Sequence, residues 1–265
     1  MFLIGKKNIR FTSSELFRGA CIFSFLMLMN SAVFGQIVNM ERQRYHKDTT
    51  GWSGTANGDI SLTNYGQKIF SVNATAHIQY QDKRNLYLLL GSYGFLKGDQ
   101  QAFIDYGFLH FRYNYKVNKV LRWEAFTQLQ QNAITKIGSR FLLGAGPRFK
   151  ISGTKKLHLY AASLLMFETE RQTGVAKYIN DCRNSSYVSL TLLPNDQTQL
   201  ITTTYYQPVF FDFNDYRWLN QTTFKVNASK KIALTLNWSY QYDSEPALGV
   251  RKDTYNLSTG VEVNL

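Results

Sequence analysis

Cysteine is nearly absent from this chain, which has two, Cys21 and Cys182. Cys21 falls in an N-terminal segment with the features of a removable leader, so no intramolecular disulfide is expected to brace the rest. Proline is also scarce, at four in 265 residues. No Pro/Gly/Ser-rich linker and no charge block divides the chain, and a single domain is expected. Charged residues make up 18% against 15% aromatic, an unusual balance for a soluble surface but a natural one where half of each strand faces lipid. No stretch reaches the roughly 20 apolar residues that a spanning helix needs, so any crossing must be made by strands.

Residues 1–35 read as a signal peptide. Lys6, Lys7, Arg10 and Arg18 form a basic start, Ala20 to Met29 an apolar stretch, and Val33-Phe34-Gly35 a small-ended cleavage site. Its removal takes four bases and one acid (Glu15), so the formal charge falls from +12 to 12 − 3 = +9. The remaining bases are scattered singly, and an exported protein has little access to nucleic acid. Anionic headgroups and lipopolysaccharide are the expected neighbours, with the barrel-assembly machinery as a partner during insertion. Residues 36–50 are polar and strand-poor and read as a flexible periplasmic arm.

From residue 51 onward the pattern alternates. Phe70, Val72, Ala74, Ala76, Ile78 and Tyr80 oppose Ser71, Asn73, Thr75, His77 and Gln79; Ile232, Leu234, Leu236, Trp238, Tyr240 and Tyr242 oppose Ala233, Thr235, Asn237, Ser239, Gln241 and Asp243. Period two is the signature of strands with one apolar face. About twelve such segments follow, at 52–63, 68–80, 85–96, 102–116, 120–131, 139–151, 157–169, 184–193, 198–207, 216–227, 232–243 and 254–265. Those at 85–96, 184–193 and 198–207 are the least regular, which leaves ten strands as the alternative. Short polar turns at 81–85, 117–119, 152–156, 194–197 and 228–231 suit hairpins, and longer connections near 132–138, 170–183, 208–215 and 244–253 fall at the other end. An even count puts both chain ends on one side, the periplasm, and the last strand is expected to close on the first.

The reading is therefore an all-β, transmembrane, up-and-down antiparallel barrel over 51–265. Its rival is a soluble sandwich burying the apolar face, but twelve strands would enclose more space than side chains can fill. Aromatic girdles are expected at Tyr80, Tyr113, Tyr115, Trp123 and Phe149 on the periplasmic side. The outer girdle would be Phe103, Phe167, Tyr206, Tyr240, Tyr242 and Tyr255.

With apolar side chains outward, the lumen receives His110, Arg112, Asn114 and Lys116; Arg122, Glu124, Gln128 and Gln130; Arg140, Arg148 and Lys150. It also receives His158, Glu168, Glu170, Arg183, Arg217, Gln221 and Lys225. Cations outnumber acids in this set. It reads either as a charged network that stiffens the barrel or as an anion-preferring channel for small solutes. Gly144 and Gly146 are expected to leave lumen space for large neighbours, and Glu168 and Glu170 to answer Arg140 or Arg148.

Several strings carry a resemblance. LLGAGPRF at 142–149 with FETE at 167–170, the closing YQYDSEPALGVRKDTYNLSTGVEV at 240–263, and the Gly-rich GWSGTANGDISLTNYG at 51–66 are similar to strand signatures of the salt-induced outer-membrane protein family. The resemblance implies an outer-membrane barrel of a Gram-negative envelope, with no assigned activity.

Enzymatic signals are weak. An outer-membrane lipid hydrolase would need a Ser or Thr beside a held His, and His77, His110 and His158 read most simply as wall residues. There is no G-x-S-x-G, H-x-x-x-H or C-x-x-C, so neither a catalytic residue nor a metal nor a cofactor is expected. The non-catalytic barrel, in envelope integrity or a stress response, is the leading reading.

Overall fold

The computed structural model describes residues 50–64, 68–98, 101–229 and 232–263; the leader at 1–35 and all of the arm except Thr50 lie outside them. Twelve strands follow in chain order: β1 (Gly51–Asn64), β2 (Lys68–Gln81), β3 (Asn85–Gly98), β4 (Gln101–Lys116), β5 (Leu121–Asn132) and β6 (Ile137–Gly153). They continue as β7 (Leu157–Gln172), β8 (Tyr178–Leu192), β9 (Thr198–Val209), β10 (Asp212–Asn227), β11 (Ile232–Asp243) and β12 (Asp253–Val263). Each pairs antiparallel with its chain neighbour in one sheet of order β1 to β12, an up-and-down meander. Twelve strands, not ten, are present.

The five short turns have a common local cause. Asp82 Oδ1 accepts from the backbone N–H of Arg84 and Asn85 at 2.7 Å each. Asn118 Oδ1 does the same for Val120 and Leu121, and Asn195 Oδ1 for Gln197 and Thr198. Thr154 Oγ1 accepts from Leu157 N–H and Ser229 Oγ from Ile232 N–H. A short side chain that binds backbone two or three residues on reverses the chain without outside help.

The strands run further than the alternation alone indicates. β8 begins at Tyr178 rather than 184 and β10 at Asp212 rather than 216, so the connections expected at 170–183 and 208–215 shrink to 173–177 and 210–211. The polar residues responsible are held in the ladder by register, for example Glu168↔Asp181 and Glu170↔Ile179. A second difference concerns closure: among the described residues β1 and β12 are the two sheet edges, and no register joins last strand to first. β1 carries Gly54 and Gly58 and is exposed along nearly its whole length, so it offers few side chains to hold a partner.

The wall has two distinct faces. Along β5 to β7, buried positions alternate with exposed Trp123, Leu129, Phe141, Leu143, Phe149, Leu165 and Phe167. One aromatic row runs Trp52–Tyr80–Tyr87–Tyr113 with ring centroids 5.1, 6.1 and 4.9 Å apart. At the opposite end Tyr206, Tyr216 and Tyr242 form a second row of tilted rings, neighbouring centroids 5.6 Å apart. Trp52, Tyr87 and Tyr216 are not among the expected girdle residues.

The candidate functional site, a packed lumen

The inner face is layered. At the end bearing the longer connections, Glu168 is the hub: Arg217 Nη1 donates to its two oxygens at 2.7 and 2.6 Å, Arg183 Nε lies 3.1 Å away and Arg140 Nε 3.3 Å. Glu170 takes Arg140 Nη2 at 2.5 Å and Arg217 Nη2 at 3.4 Å. Arg183 also forks onto both oxygens of Asp215 at 2.9 and 3.0 Å and reaches Asp181 at 3.2 Å. Arg217 Nε donates to Asp243 at 2.9 Å. The bonds between Arg217 and Glu168 span from β10 to β7, tying strands that are not neighbours. Bidentate, charge-assisted contacts of this kind are the geometry in which buried guanidinium and carboxylate offset their loss of water.

At the end bearing the tight turns, the ion pairs of the inner face gather on a single acid among the described residues. Glu124 accepts from Arg112 Nη1, and Arg148 Nε stands 3.7 Å from it. Tyr187 OH donates to Glu124 at 2.9 Å, crossing the interior from β8 to β5. Arg148 is fully buried, with its guanidinium 3.7 Å from the centre of the Tyr160 ring; Arg122 approaches the same ring at 5.3 Å. Of the two arginines expected to answer Glu168 and Glu170, Arg140 does so together with Arg183 and Arg217, whereas Arg148 lies beside Glu124.

Between the charged layers lies an apolar one. Phe126, Leu142, Ala162, Leu164, Met166, Tyr187, Tyr205 and Leu219 form one buried cluster, with Leu88, Leu90 and Phe108 in another. Their inward position was not foreseen, because alternation shows that two faces differ and not what a wide interior needs as filler. Gly144 belongs to this layer: a Cβ there would meet the Phe126 ring at 2.5 Å. Gly146 serves differently from expectation, since its Cβ would meet the Ser163 carbonyl oxygen at 2.3 Å; it allows close backbone approach rather than housing a side chain.

An open hollow of about 600 Å³ is lined by the inward Phe108, Gln130 and Arg140 and the outward Leu109, Leu129 and Phe141, and two more enclosed cavities are small. One of about 40 Å³ is bounded by Arg112, Phe126, Arg140, Met166, Tyr205 and Arg217. Another of about 40 Å³ lies beneath the β11–β12 connection, against Arg140, Glu170 and Arg217. Either holds a few waters at most. That connection is seated by Lys136, which has a positive φ of 56° and donates Nζ to the Leu248 carbonyl at 2.7 Å. Ala247 is buried beneath it.

The remaining expected lumen residues lie as follows. His110 is buried with Nδ1 2.9 Å from Gln128 Oε1, and Arg112 Nε donates to its Nε2 at 3.2 Å. Both ring nitrogens are thus engaged by groups that are not nucleophiles. Gln130 accepts from Gln128 at 3.2 Å. Asn114 and Gln221 are buried, Arg122, Lys150, His158 and Lys225 half-buried, and Lys116 stands exposed at its strand end. The expected cation excess applies to one layer only. Asp181, Asp215 and Asp243, absent from the expected set, give the Glu168 layer five acids to three arginines. Asp181 and Asp215 were assigned to loops, which hid them. Asp243 sits in a strand that alternates clearly, and its polar side of β11 was the available signal.

Twelve antiparallel strands with an apolar outer face and a charged inner one define a membrane β-barrel. More narrowly, the chain belongs to the family described as protein of unknown function, DUF481, whose model matches residues 54–264. Among solved structures it is similar to a NanC porin, at 10% identity over 80% of this chain and 99% of the porin, with a TM-score of 0.48. It is also similar to a chain from work on in-meso crystallization of membrane proteins, at 8% identity over 79% and 83%, with a TM-score of 0.37. No curated protein sequence matches the chain.

Proposed function

We propose that this protein is a non-catalytic outer-membrane barrel of a Gram-negative envelope, exported by the leader at 1–35, that contributes to envelope integrity, including under salt stress. The salt connection rests on the strand signatures at 142–149, 167–170 and 240–263. The observation that carries the sealed reading is the packing of the inner face, where an apolar cluster lies between two charged layers and the enclosed cavities against Arg112, Arg140 and Arg217 measure about 40 Å³ each. Lipopolysaccharide and other anionic lipids are its neighbours, and the barrel-assembly machinery inserts it.

A planar-bilayer recording tests this reading. Repeated insertions of folded protein should add no steady conductance. The second reading, a narrow anion channel, is favoured by the Glu124 layer, where Arg112, Arg122 and Arg148 outnumber one acid. Steady anion-selective current that weakens in Arg112→Gln and Arg148→Gln would replace the sealed barrel with that channel. A lipid hydrolase finds no support at His110, and lipid cleavage lost on His77→Ala or His158→Ala would be needed to revive it.

A further inference from the structure

The connection from β11 to β12, residues 244–252, is the longest at its end of the wall among the described residues, where its counterparts are 133–136, 173–177 and 210–211. It does not stand clear of the barrel. Its tip meets the β5–β6 turn, where Lys136 Nζ donates to the Leu248 carbonyl at 2.7 Å, although β7 to β10 lie between the two connections along the sheet. In a rolled twelve-strand wall such a contact spans the mouth. Beneath it lies the cavity of about 40 Å³ that has Arg140, Glu170 and Arg217 on one side and Pro246, Ala247 and Val250 on the other. Ala247 is 9% exposed and Leu248 92%, so adjacent residues of the connection face the lumen and the outside.

We infer that residues 244–252 form a lid over the outer mouth of the barrel, latched by Lys136 and able to lift while the wall stays folded. The inference rests on the sealed-barrel reading above. Both ends of the lid are hinged on the ladder: Ser244 N–H donates to the Tyr216 carbonyl at 3.1 Å, Tyr216 N–H donates to Ser244 Oγ at 2.8 Å, and Asp243 N–H donates to the Lys252 carbonyl at 2.8 Å. Between the hinges the chain folds on itself, with Val250 N–H bonded to the Ala247 carbonyl at 2.9 Å and Gly249 at a φ of 79°. It therefore moves as a unit. The post that holds it is fixed as well, since Lys136 N–H bonds to the Ala133 carbonyl at 3.3 Å and the Lys136 carbonyl accepts from Thr173 N–H at 2.8 Å. The latch is weaker than either, because its ammonium and carbonyl are open to water and exchange one hydrogen bond for another on parting. Side-chain burial adds little: within 244–252 Ala247 alone is buried, and one methyl group removes little apolar area from water. The Glu168 layer below is held instead by several buried ion pairs across β6, β7, β8 and β10. The lid is thus the part that opens first, and its opening bares that acid-rich layer to the outside.

The test uses the leader-free chain folded in detergent micelles, with Cys182→Ser to remove its native thiol and one cysteine introduced at a time. The rate of modification by a cationic methanethiosulfonate reagent, whose charge suits the acid-rich layer, is then measured. Leu248→Cys, on top of the lid, is the reference and should react as a free thiol. Ala247→Cys, beneath it, should react about tenfold or more slowly while Lys136 is in place. Lys136→Met should raise the rate at Ala247→Cys about tenfold and change that at Leu248→Cys little, a comparison that separates opening from the loss of a nearby charge. Lys136→Arg keeps a donor on a long side chain and should restore the protection. If Ala247→Cys does not fold, Gln241→Cys in the cavity wall reads the same opening. Equal rates above and below the lid with Lys136 present overturn the lid, and protection that survives Lys136→Met overturns the latch and leaves a fixed cap. Steady conductance of the wild type in a planar bilayer overturns the sealed reading without altering either labelling result, so the two failures are distinct.

Discussion

The two charged layers of the lumen use the same residue types and reach opposite balances. Around Glu168, five carboxylates face three guanidiniums; around Glu124, one carboxylate faces three. Excess acid in the first layer is tolerated at its edge, where Asp181, Asp215 and Asp243 keep some contact with water. Excess cation in the second is met by the Tyr160 ring, which faces both Arg148 and Arg122, rather than by more acids. The first layer depends on charge pairing, the second partly on aromatic faces. The two should therefore respond differently to loss of a charge.

Glu168→Ala should produce the largest effect. It leaves Arg140, Arg183 and Arg217 clustered without their common acceptor, and breaking a buried pair in this way costs about 3–5 kcal/mol. Urea unfolding from lipid vesicles reads it directly, and a loss below about 1 kcal/mol would mean that water already shares the layer. Removing a cation separates the layers further. Arg217→Met deprives Glu168, Glu170 and Asp243 together and should cost about 3 kcal/mol. Arg148→Met relieves crowding of guanidiniums around Glu124 and keeps an unbranched chain against Tyr160, so about 1 kcal/mol or less is expected. Equal losses at both positions would erase the contrast between the layers.

Much of this architecture is legible in the residues, and the failures have identifiable causes. The irregular segments at 85–96, 184–193 and 198–207 proved to be β3, β8 and β9. β3 places Leu88 and Leu90 inside and Tyr87, Leu89 and Tyr93 outside, so it is apolar on both faces. β8 and β9 are the reverse, with Ser185, Ser189 and Thr203 inside and Ser186, Thr202 and Thr204 outside. Alternation fades in both cases because the two solvents of a barrel wall are not simply oil and water here. The inward arginines and glutamates could be named, since a charge in mid-strand must avoid lipid. Their pairings could not, because Arg217 finds Glu168 across the lumen and Lys136 finds the Leu248 carbonyl 112 positions away; no local pattern encodes such distances.

The smallest expected effect lies outside both layers, in a tight turn, and calibrates them. The Asp82 carboxyl is held below its usual range by hydrogen bonds from the Asn85 side chain and from the backbone N–H groups of Asn85 and Arg84. A carboxyl whose folded pKa is depressed contributes stability that is fully present above its unfolded value, about 3.9, and that is lost as pH falls through the lower folded value. Asp82→Ala should therefore lower unfolding resistance slightly at neutral pH and change nothing once the wild type is itself protonated there. The turn is fully exposed, so salt and water screen the contribution, and the urea midpoint should move far less than in Glu168→Ala. A shift at pH 7 comparable with that of Glu168→Ala would mean that the β2–β3 hairpin, and not the charged lumen, sets the stability of the barrel. The stability contrast between the two layers would then be secondary to the turns.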